Sequence, residues 1–583
     1  MLKCEHKTNI IKKERRMFVM KETVSIGIQD FEKIRNRHCF YIDKTNFIKE
    51  WWDSKDDVTL ITRPRRFGKT LNMSMLECFF SNRYEKRGDL FEGLSVWEDE
   101  EYRMLQGTYP VISLTFANVK ETNITDVKKR ISQMIADLYT KHLFLVSSER
   151  IEEIEKEYIH NVVRYQSQMP DDIATMAIHK LTDFLSRYYN KKVIILLDEY
   201  DTPMQEAYIN GFWDELIPFI RTMFNTTFKT NPYAERAIMT GITRVSKESI
   251  FSDLNNLKVV TTTSDEYADS FGFTEEEVFA ALDRFGFSEE KEDVKHWYDG
   301  FTFGDKTDIY NPWSIINYLD TGKFQTYWAN TSSNSLVGKL IREGSPDVKK
   351  TMEDLLVGKS TISEIDEQIV FNQLDRNQSA IWSLFLASGY LRVENIIFNK
   401  QKNKYFYELV LTNNEVLFMF QNMIDGWFLD YTEDYNEFIK ALLQGNKKVM
   451  NIYMNRVALR TFSFFDTGNH PSAFSEPERF YHGFVLGLMV DLQDRYVINS
   501  NRESGFGRYD VLLEPLNNTD NAIILEFKVH DADEEDTLAD TVAAAIAQIE
   551  EKQYAQEIIA KGIPEERIRK YGFAFEGKTV LIG

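Results

Sequence analysis

Gly68, Lys69 and Thr70 follow a β-branched run, VTLIT at 58–62, and lead into an amphipathic stretch, LNMSMLECFF at 71–80. A strand, a loop ending in Gly-Lys-Thr and a helix are the setting a phosphate-binding loop needs. Glycine lets the backbone approach a phosphate closely. The lysine reaches the β and γ oxygens, the threonine hydroxyl holds Mg²⁺, and the helix N-terminus adds positive potential. The usual pattern, G-x-x-x-x-G-K-[ST], places its first glycine where this chain has Arg63, followed by Pro64. That pair stiffens the loop entry and suits a cradle tuned for holding nucleotide more than for fast turnover. Between 63 and 87 there are seven Lys/Arg, Arg65 and Arg66 among them, against two Glu. The plain alternative is a basic turn capping a helix.

About 130 residues further on, KVIILLDEYD at 192–201 reads as a buried strand ending in Asp198 and Glu199. An acid at such a strand end holds Mg²⁺, and the adjacent Glu polarises an attacking water. A polar strand terminus is common in itself, but jointly with the Gly-Lys-Thr loop the pattern is specific for nucleotide binding. The next strand-like run, RAIMTGIT at 236–243, carries Thr240 and is followed by Arg244. Thr240 is placed to sense a γ-phosphate and Arg244 to act as a sensor or finger. A solvated turn explains Arg244 equally well.

The C-terminal part carries different chemistry. GRYDVLLEP at 507–515 and AIILEFKV at 522–529 read as two strands. Glu526 and Lys528 are two apart and project from one face. A hairpin would bring Asp510 beside Glu526. Two carboxylates make a hard-oxygen site for Mg²⁺ or Mn²⁺, and the lysine stabilises charge developing on a phosphate. This is a phosphodiester-cleaving constellation. Glu478, on a preceding helical pattern, and Gln548, on the following one, are candidate supports. The plain alternative is a chance D…E-x-K pattern in a charged chain.

The elements that must position these residues are readable. At 583 residues, three or so domains are expected. From 57 to 245, strand runs at 58–62, 109–116, 192–200 and 236–243 alternate with helical patterns such as VKKRISQMIADLY. That is a βαβ pattern with a parallel sheet. Residues 265–450 read as mostly helical with aromatic clusters. The end of the chain mixes strand runs with a helix over about 535–560. The expected division is an N-terminal extension (1–24), a P-loop domain (25–264), a helical lid or connector (265–450) and a nuclease-like domain (451–583).

Composition excludes some classes. No apolar run approaches the roughly 20 residues of a membrane span, and the charged N-terminus lacks a signal core, so a cytoplasmic protein is expected. Cys4, Cys39 and Cys78 are scattered, which argues against a disulfide framework or a thiolate metal site. The net charge of −21 counts against loose electrostatic nucleic-acid binding.

These stretches together resemble a bacterial family in which an AAA-ATPase-like domain precedes a PD-(D/E)XK nuclease-superfamily domain. The resemblance rests on YIDKTNFI, TRPRRFGKTLNMSML, VIILLDEYDTP, TGITRVSKESIFSDLNNL, WYDGF, NPWSI, ERFYHGFVLGL, GRYDVLLEP, AIILEFKV and AIAQIEEKQY, in order from about residue 25 to the end. In that family the loop reads RPRRFGK[ST], so Arg63 is a family trait. The resemblance implies a P-loop NTPase fold, a helical middle and a restriction-endonuclease-like α/β core. It implies ATP held by Gly68, Lys69 and Thr70 with Asp198 and Glu199 as the acidic pair, and a metal-dependent nuclease core of Asp510, Glu526 and Lys528 supported by Glu478 and Gln548; Arg65, Arg66 and Arg244 are further candidates for nucleotide contact. Tyr509 stands where the superfamily signature has Pro. Nucleic acid, DNA rather than RNA, is the implied partner, in defence or mobile-element control, with a homo-oligomer left open. A non-cleaving ATP switch binding nucleic acid or protein through its C-terminal domain is the competing class.

Overall fold

The computed structural model describes residues 23–583 except 245–249, 252–253, 329–334, 343–344, 357, 367–373, 375–377, 430–431, 462–484, 486–488, 490–491, 493–494, 501–502, 505–506, 509, 518–519, 532–534 and 577–578. The chain divides into two compact units, residues 1–333 with 362–416 and residues 334–361 with 417–583.

In the first unit, β1 (Val58–Thr62), β2 (Val111–Thr115), β3 (Val193–Asp198), β4 (Ala234–Gly241) and β5 (Leu257–Val260) form one sheet in the order β2-β3-β4-β1-β5. Every pairing is parallel. These are the runs that read as nearly continuous apolar sequence, because a parallel sheet is covered on both faces. One face packs Ile61, Ile194, Leu196 and Ile238 against α1 (Phe31–Asn36), α2 (Asn46–Ser54) and α3 (Lys69–Phe80) through Phe31, Trp51, Leu76 and Phe79. The alternate residues Leu60, Ile195, Leu197 and Met239 are equally buried, and α4 (Asp171–Tyr189) packs against β3 and α5 (Trp213–Phe228).

The middle of the chain is rich in helices, including α6 (Glu275–Phe285) and α7 (Pro312–Thr321). It also carries a small sheet of β6 (Phe273–Thr274), β7 (Phe301–Phe303) and β8 (Lys306–Tyr310), and a hairpin of β9 (Leu391–Asn399) and β10 (Lys404–Leu411). It does not stand alone as 265–450. Its larger part joins the first unit, where its aromatics pack on the segment after β1: the Phe67 ring lies 4.7 Å from Phe301 and 5.4 Å from Phe303.

The second unit has a sheet of β11 (Tyr496–Ser500), β12 (Val511–Pro515), β13 (Ala522–Val529), β14 (Ile568–Glu576) and β15 (Thr579–Ile582), in that order. Only β13 and β14 pair in parallel. Ile523, Leu525 and Phe527 face Phe438, Leu442, Met450 and Met454 of α8 (Thr432–Gln444) and α9 (Lys447–Thr461). Ala522 and Ile524 face the opposite side, against Ile549 of α10 (Leu538–Glu551) and Ile558 of α11 (Ala555–Ala560). The single helix expected over 535–560 is thus two.

Candidate functional site

Arg63 explains how the loop dispenses with its usual first glycine. Its N–H donates to Gly241 O (3.1 Å), extending the β1–β4 ladder by a residue. Its fully buried guanidinium donates to the carbonyls of Thr62 (3.0 Å), Thr261 (2.5 Å) and Glu266 (3.1 Å) and lies 4.5 Å over the Phe303 ring. Burial pushes its pKa down to about 9. Left-handed backbone is demanded later, at Arg66 (φ 65°) and Gly68 (φ 80°), so glycine is needed at 68 and not at 63.

Gly68 caps α3, and Lys69 begins it. The buried Lys69 ammonium donates to Arg63 O (2.8 Å) and Pro64 O (2.7 Å), and burial lowers its pKa. Because β4 lies between β1 and β3, three polar side chains converge there: Thr70 Oγ1 donates to Asp198 Oδ2 (2.7 Å), and Thr240 Oγ1 to Asp198 Oδ1 (2.5 Å). Burial raises the Asp198 pKa, and the two hydroxyls oppose it. Glu199, at φ 51°, accepts from Thr202 Oγ1 (3.3 Å). Arg65, Arg66, Gly68, Lys69, Thr70, Asp198 and Glu199 all line one cleft of about 570 Å³. Arg244 is not among the residues lining it.

Sequence reasoning missed residues that brace this cleft. Buried Asp201 accepts through Oδ2 from Ile242 N (3.0 Å), Thr243 N (2.9 Å) and Thr243 Oγ1 (2.9 Å), so it ties the segment after β4 to the segment after β3. Gln205 Oε1 accepts from Arg65 Nη2 (3.3 Å), Asn311 Nδ2 donates to Arg65 O (3.3 Å), and the Arg66 guanidinium lies 4.4 Å over Trp313. The second Asp of DEYD and the Asn before Pro in NPWSI were the available signals. The hydroxyl of Thr70 beside the carboxylate of Asp198 is a hard-oxygen pair that fits Mg²⁺, and the buried ammonium fits a polyphosphate.

In the second unit, Val511 pairs with Leu525, which puts Asp510 directly across from Glu526. Asp510 Oδ2 accepts from Phe527 N (2.9 Å). Glu526 is buried, and Gln548 on α10 donates to its Oε1. The helix comes this close because Glu526 pairs on β14 with Gly572, where a Cβ would sit 2.9 Å from Val542 O. Buried Tyr554 has its pKa raised by burial first, then by the charge of Glu526, with a smaller contribution from Asp510. Both carboxylates therefore lie near one phenol. Lys528, half-buried, follows two residues later on the α10 face. The paired carboxylates are a donor set that fits Mg²⁺ or Mn²⁺. Glu478 and Tyr509 lie outside the described residues.

Residues 25–251 match the family described as predicted AAA-ATPase, and residues 476–583 match the PD-(D/E)XK nuclease superfamily. A relative in Azotobacter chroococcum mcd 1, an uncharacterized protein in the vnfD 5′ region, is 24% identical over 360 residues, 60% of this chain. The chain spans 63% of that relative's length.

Proposed function

We propose that this chain, in which an AAA-ATPase-like domain precedes a PD-(D/E)XK nuclease-superfamily domain, is a cytoplasmic, ATP-regulated, metal-dependent nuclease acting on DNA. The observation that carries the reading is the cross-strand placement of Asp510 beside Glu526, with Lys528 on the same strand.

In the first unit, Lys69 would stand against the negative charge of a bound triphosphate, Thr70 and Asp198 would hold Mg²⁺, and Glu199 would orient the attacking water. Asp201 and Gln205 keep the two strand-end segments and Arg65 in place. Arg244, which does not line the cleft, takes no part in this reading. In the second unit, Asp510 and Glu526 would hold the cation, and Gln548 orients Glu526 through its Oε1. Lys528 presents its ammonium to the charge that develops on the scissile phosphate. A divalent cation held there supplies Lewis-acid charge and a more acidic water. Defence against foreign nucleic acid or mobile elements is the role that suits this pairing.

Residues 476–583 hold 11 Lys/Arg against 21 Asp/Glu, which repels phosphates at long range and favours a second reading, a non-cleaving ATP switch. The lysines and acids separate the two. Lys528→Ala is expected to abolish cleavage and spare metal binding, since an ammonium is not a ligand, and Asp510→Ala to lose both. Glu199→Gln is expected to keep ATP affinity and lose hydrolysis. Wild type and all three variants equally inert on every nucleic acid tested would establish the switch instead.

A further inference from the structure

The hairpin of β9 and β10 is rooted in the core and ends in solvent. Its root holds the buried Leu391 and Leu409. A register shift between Val393 and Asn395 interrupts the ladder, and beyond it the apolar side chains are open: Ile396 is 54%, Ile397 37%, Phe398 44% and Tyr405 56% exposed. Ile396 pairs with Tyr407 and Phe398 with Tyr405. Residues directly opposite each other share a face of the ribbon. Ile396, Phe398, Tyr405 and Tyr407 therefore line one side, with the Phe398 and Tyr405 rings 4.8 Å apart. Contiguous exposed apolar groups of this kind mark an interaction surface.

The end of the hairpin is also basic. Residues 395–407, NIIFNKQKNKYFY, contain three lysines and no acid, in a chain whose net charge is −21. Lys404 is paired with Glu364 (2.5 Å), and Lys402 Nζ lies 5.5 Å from the centre of the Phe406 ring, on the other face. Lys400 and Lys402 are exposed at the turn. Rings and cations together select the occupant. A purely apolar partner would have to cover lysines, and an acidic peptide would leave the rings wet. A single strand of nucleic acid brings a flat ring and a charge with every nucleotide and satisfies both. In a duplex the base faces are stacked inside, out of reach of the rings.

We infer that this hairpin is a docking platform for single-stranded DNA, whose bases stack on Phe398 and Tyr405 and whose phosphates meet Lys400 and Lys402. The inference rests on the nucleic-acid reading above and extends it to a surface outside residues 25–251 and 476–583. It also answers a difficulty of that reading. Residues 476–583 repel phosphates at long range, so capture of a strand calls for positive charge elsewhere, and the hairpin, in the first unit, supplies it. Capture and cleavage are then separable by mutation.

Fluorescence anisotropy on the full chain, with a labelled oligothymidylate of about 16 nucleotides in EDTA, tests this. EDTA removes the metal that cleavage requires and leaves stacking and charge in place. Tyr405→Ala, at an exposed position, is expected to raise the Kd by about tenfold, and Tyr405→Phe to bind as wild type does. Lys400→Gln combined with Lys402→Gln is expected to flatten the slope of log K against log salt by about 1.4, the share of two phosphate contacts on a single strand. Asp510→Ala is expected to leave the Kd unchanged. Wild type that fails to bind the oligonucleotide, or a Kd that neither the ring variant nor the lysine variant moves, would overturn the inference. Variants that alter only self-association in sedimentation would also overturn it, and would assign the surface to a second copy of this chain. Strand binding with the expected losses, but no cleavage under any condition, would remove the nuclease reading and leave the platform standing.

Discussion

Lys69 and Lys528 each stand near paired acids, but the two lysines are held by opposite means. Lys69 is buried at a helix start, donating to two carbonyls of its own loop, and beside it Asp198 accepts from Thr70 and Thr240, three residues from three elements. Lys528 lies half-buried on the strand that carries Glu526 and owes its place to sheet register. The loop site relies on backbone that side chains disfavour, with positive φ at Arg66, Gly68 and Glu199. Distant contacts hold that backbone in place. The sheet site needs no unusual backbone, but a one-residue slip would send Glu526 to the opposite face. One site is therefore vulnerable through its supports, the other through its charges.

The largest effect expected of a single change falls on the sheet site. Asp510→Ala or Glu526→Ala removes one of two acids and should lower metal-dependent cleavage by at least about a hundredfold, without altering ATP affinity measured by calorimetry. Persistent cleavage in either variant would mean that the sheet site is not the reacting centre.

The next largest falls on the supports of the loop. Arg63→Gly restores the common loop pattern but abandons three carbonyls and a stacked ring. It should destabilise the chain by about 3 kcal/mol in urea unfolding. A neutral or stabilising result would erase the distinction drawn between the sites. Lys69→Ala should weaken ATP binding by at least about tenfold, about 1.4 kcal/mol. Equal affinity in wild type and variant would refute the role given to the ammonium.

The smallest effect is a pH dependence. Asp198 has a folded pKa above its ordinary value, chiefly because it is buried. The stability that its protonation contributes is fully present below the ordinary carboxylate pKa and is lost as pH rises through the folded value. Asp198→Asn lacks this titration. Without nucleotide, the Tm of the variant relative to wild type should climb by about 1–2 °C between about pH 4 and pH 8. A difference that stays flat with pH would show that Asp198 bears no such burden.

Much of this was legible because the information is local. VTLIT coincides with β1, and the apolar runs at 192–200 and 236–243 match β3 and β4 to within about two residues at each end. A hairpin of the two runs is enough to bring Asp510 near Glu526, but alternation sets only the face, and the register comes from the pairing of Val511 with Leu525. What stayed hidden depends on long-range packing. Nothing near Arg63 announces that its guanidinium will meet Thr261 and Glu266 some 200 residues on. Asp201 reads as one more acid in an acidic run until the fold brings Ile242 and Thr243 to it. The break between α10 and α11 is likewise invisible in a pattern that stays amphipathic through Lys552.

The central claim is that nucleotide in the first unit governs phosphodiester cleavage in the second. The most direct test is cleavage of single- and double-stranded DNA with Mg²⁺ or Mn²⁺, with and without ATP, in wild type, Lys69→Ala and Asp510→Ala. The account predicts metal-dependent cleavage whose rate changes with ATP in wild type, cleavage indifferent to ATP in Lys69→Ala, and none in Asp510→Ala. Cleavage by wild type that ignores ATP, or cleavage retained by Asp510→Ala, would contradict it.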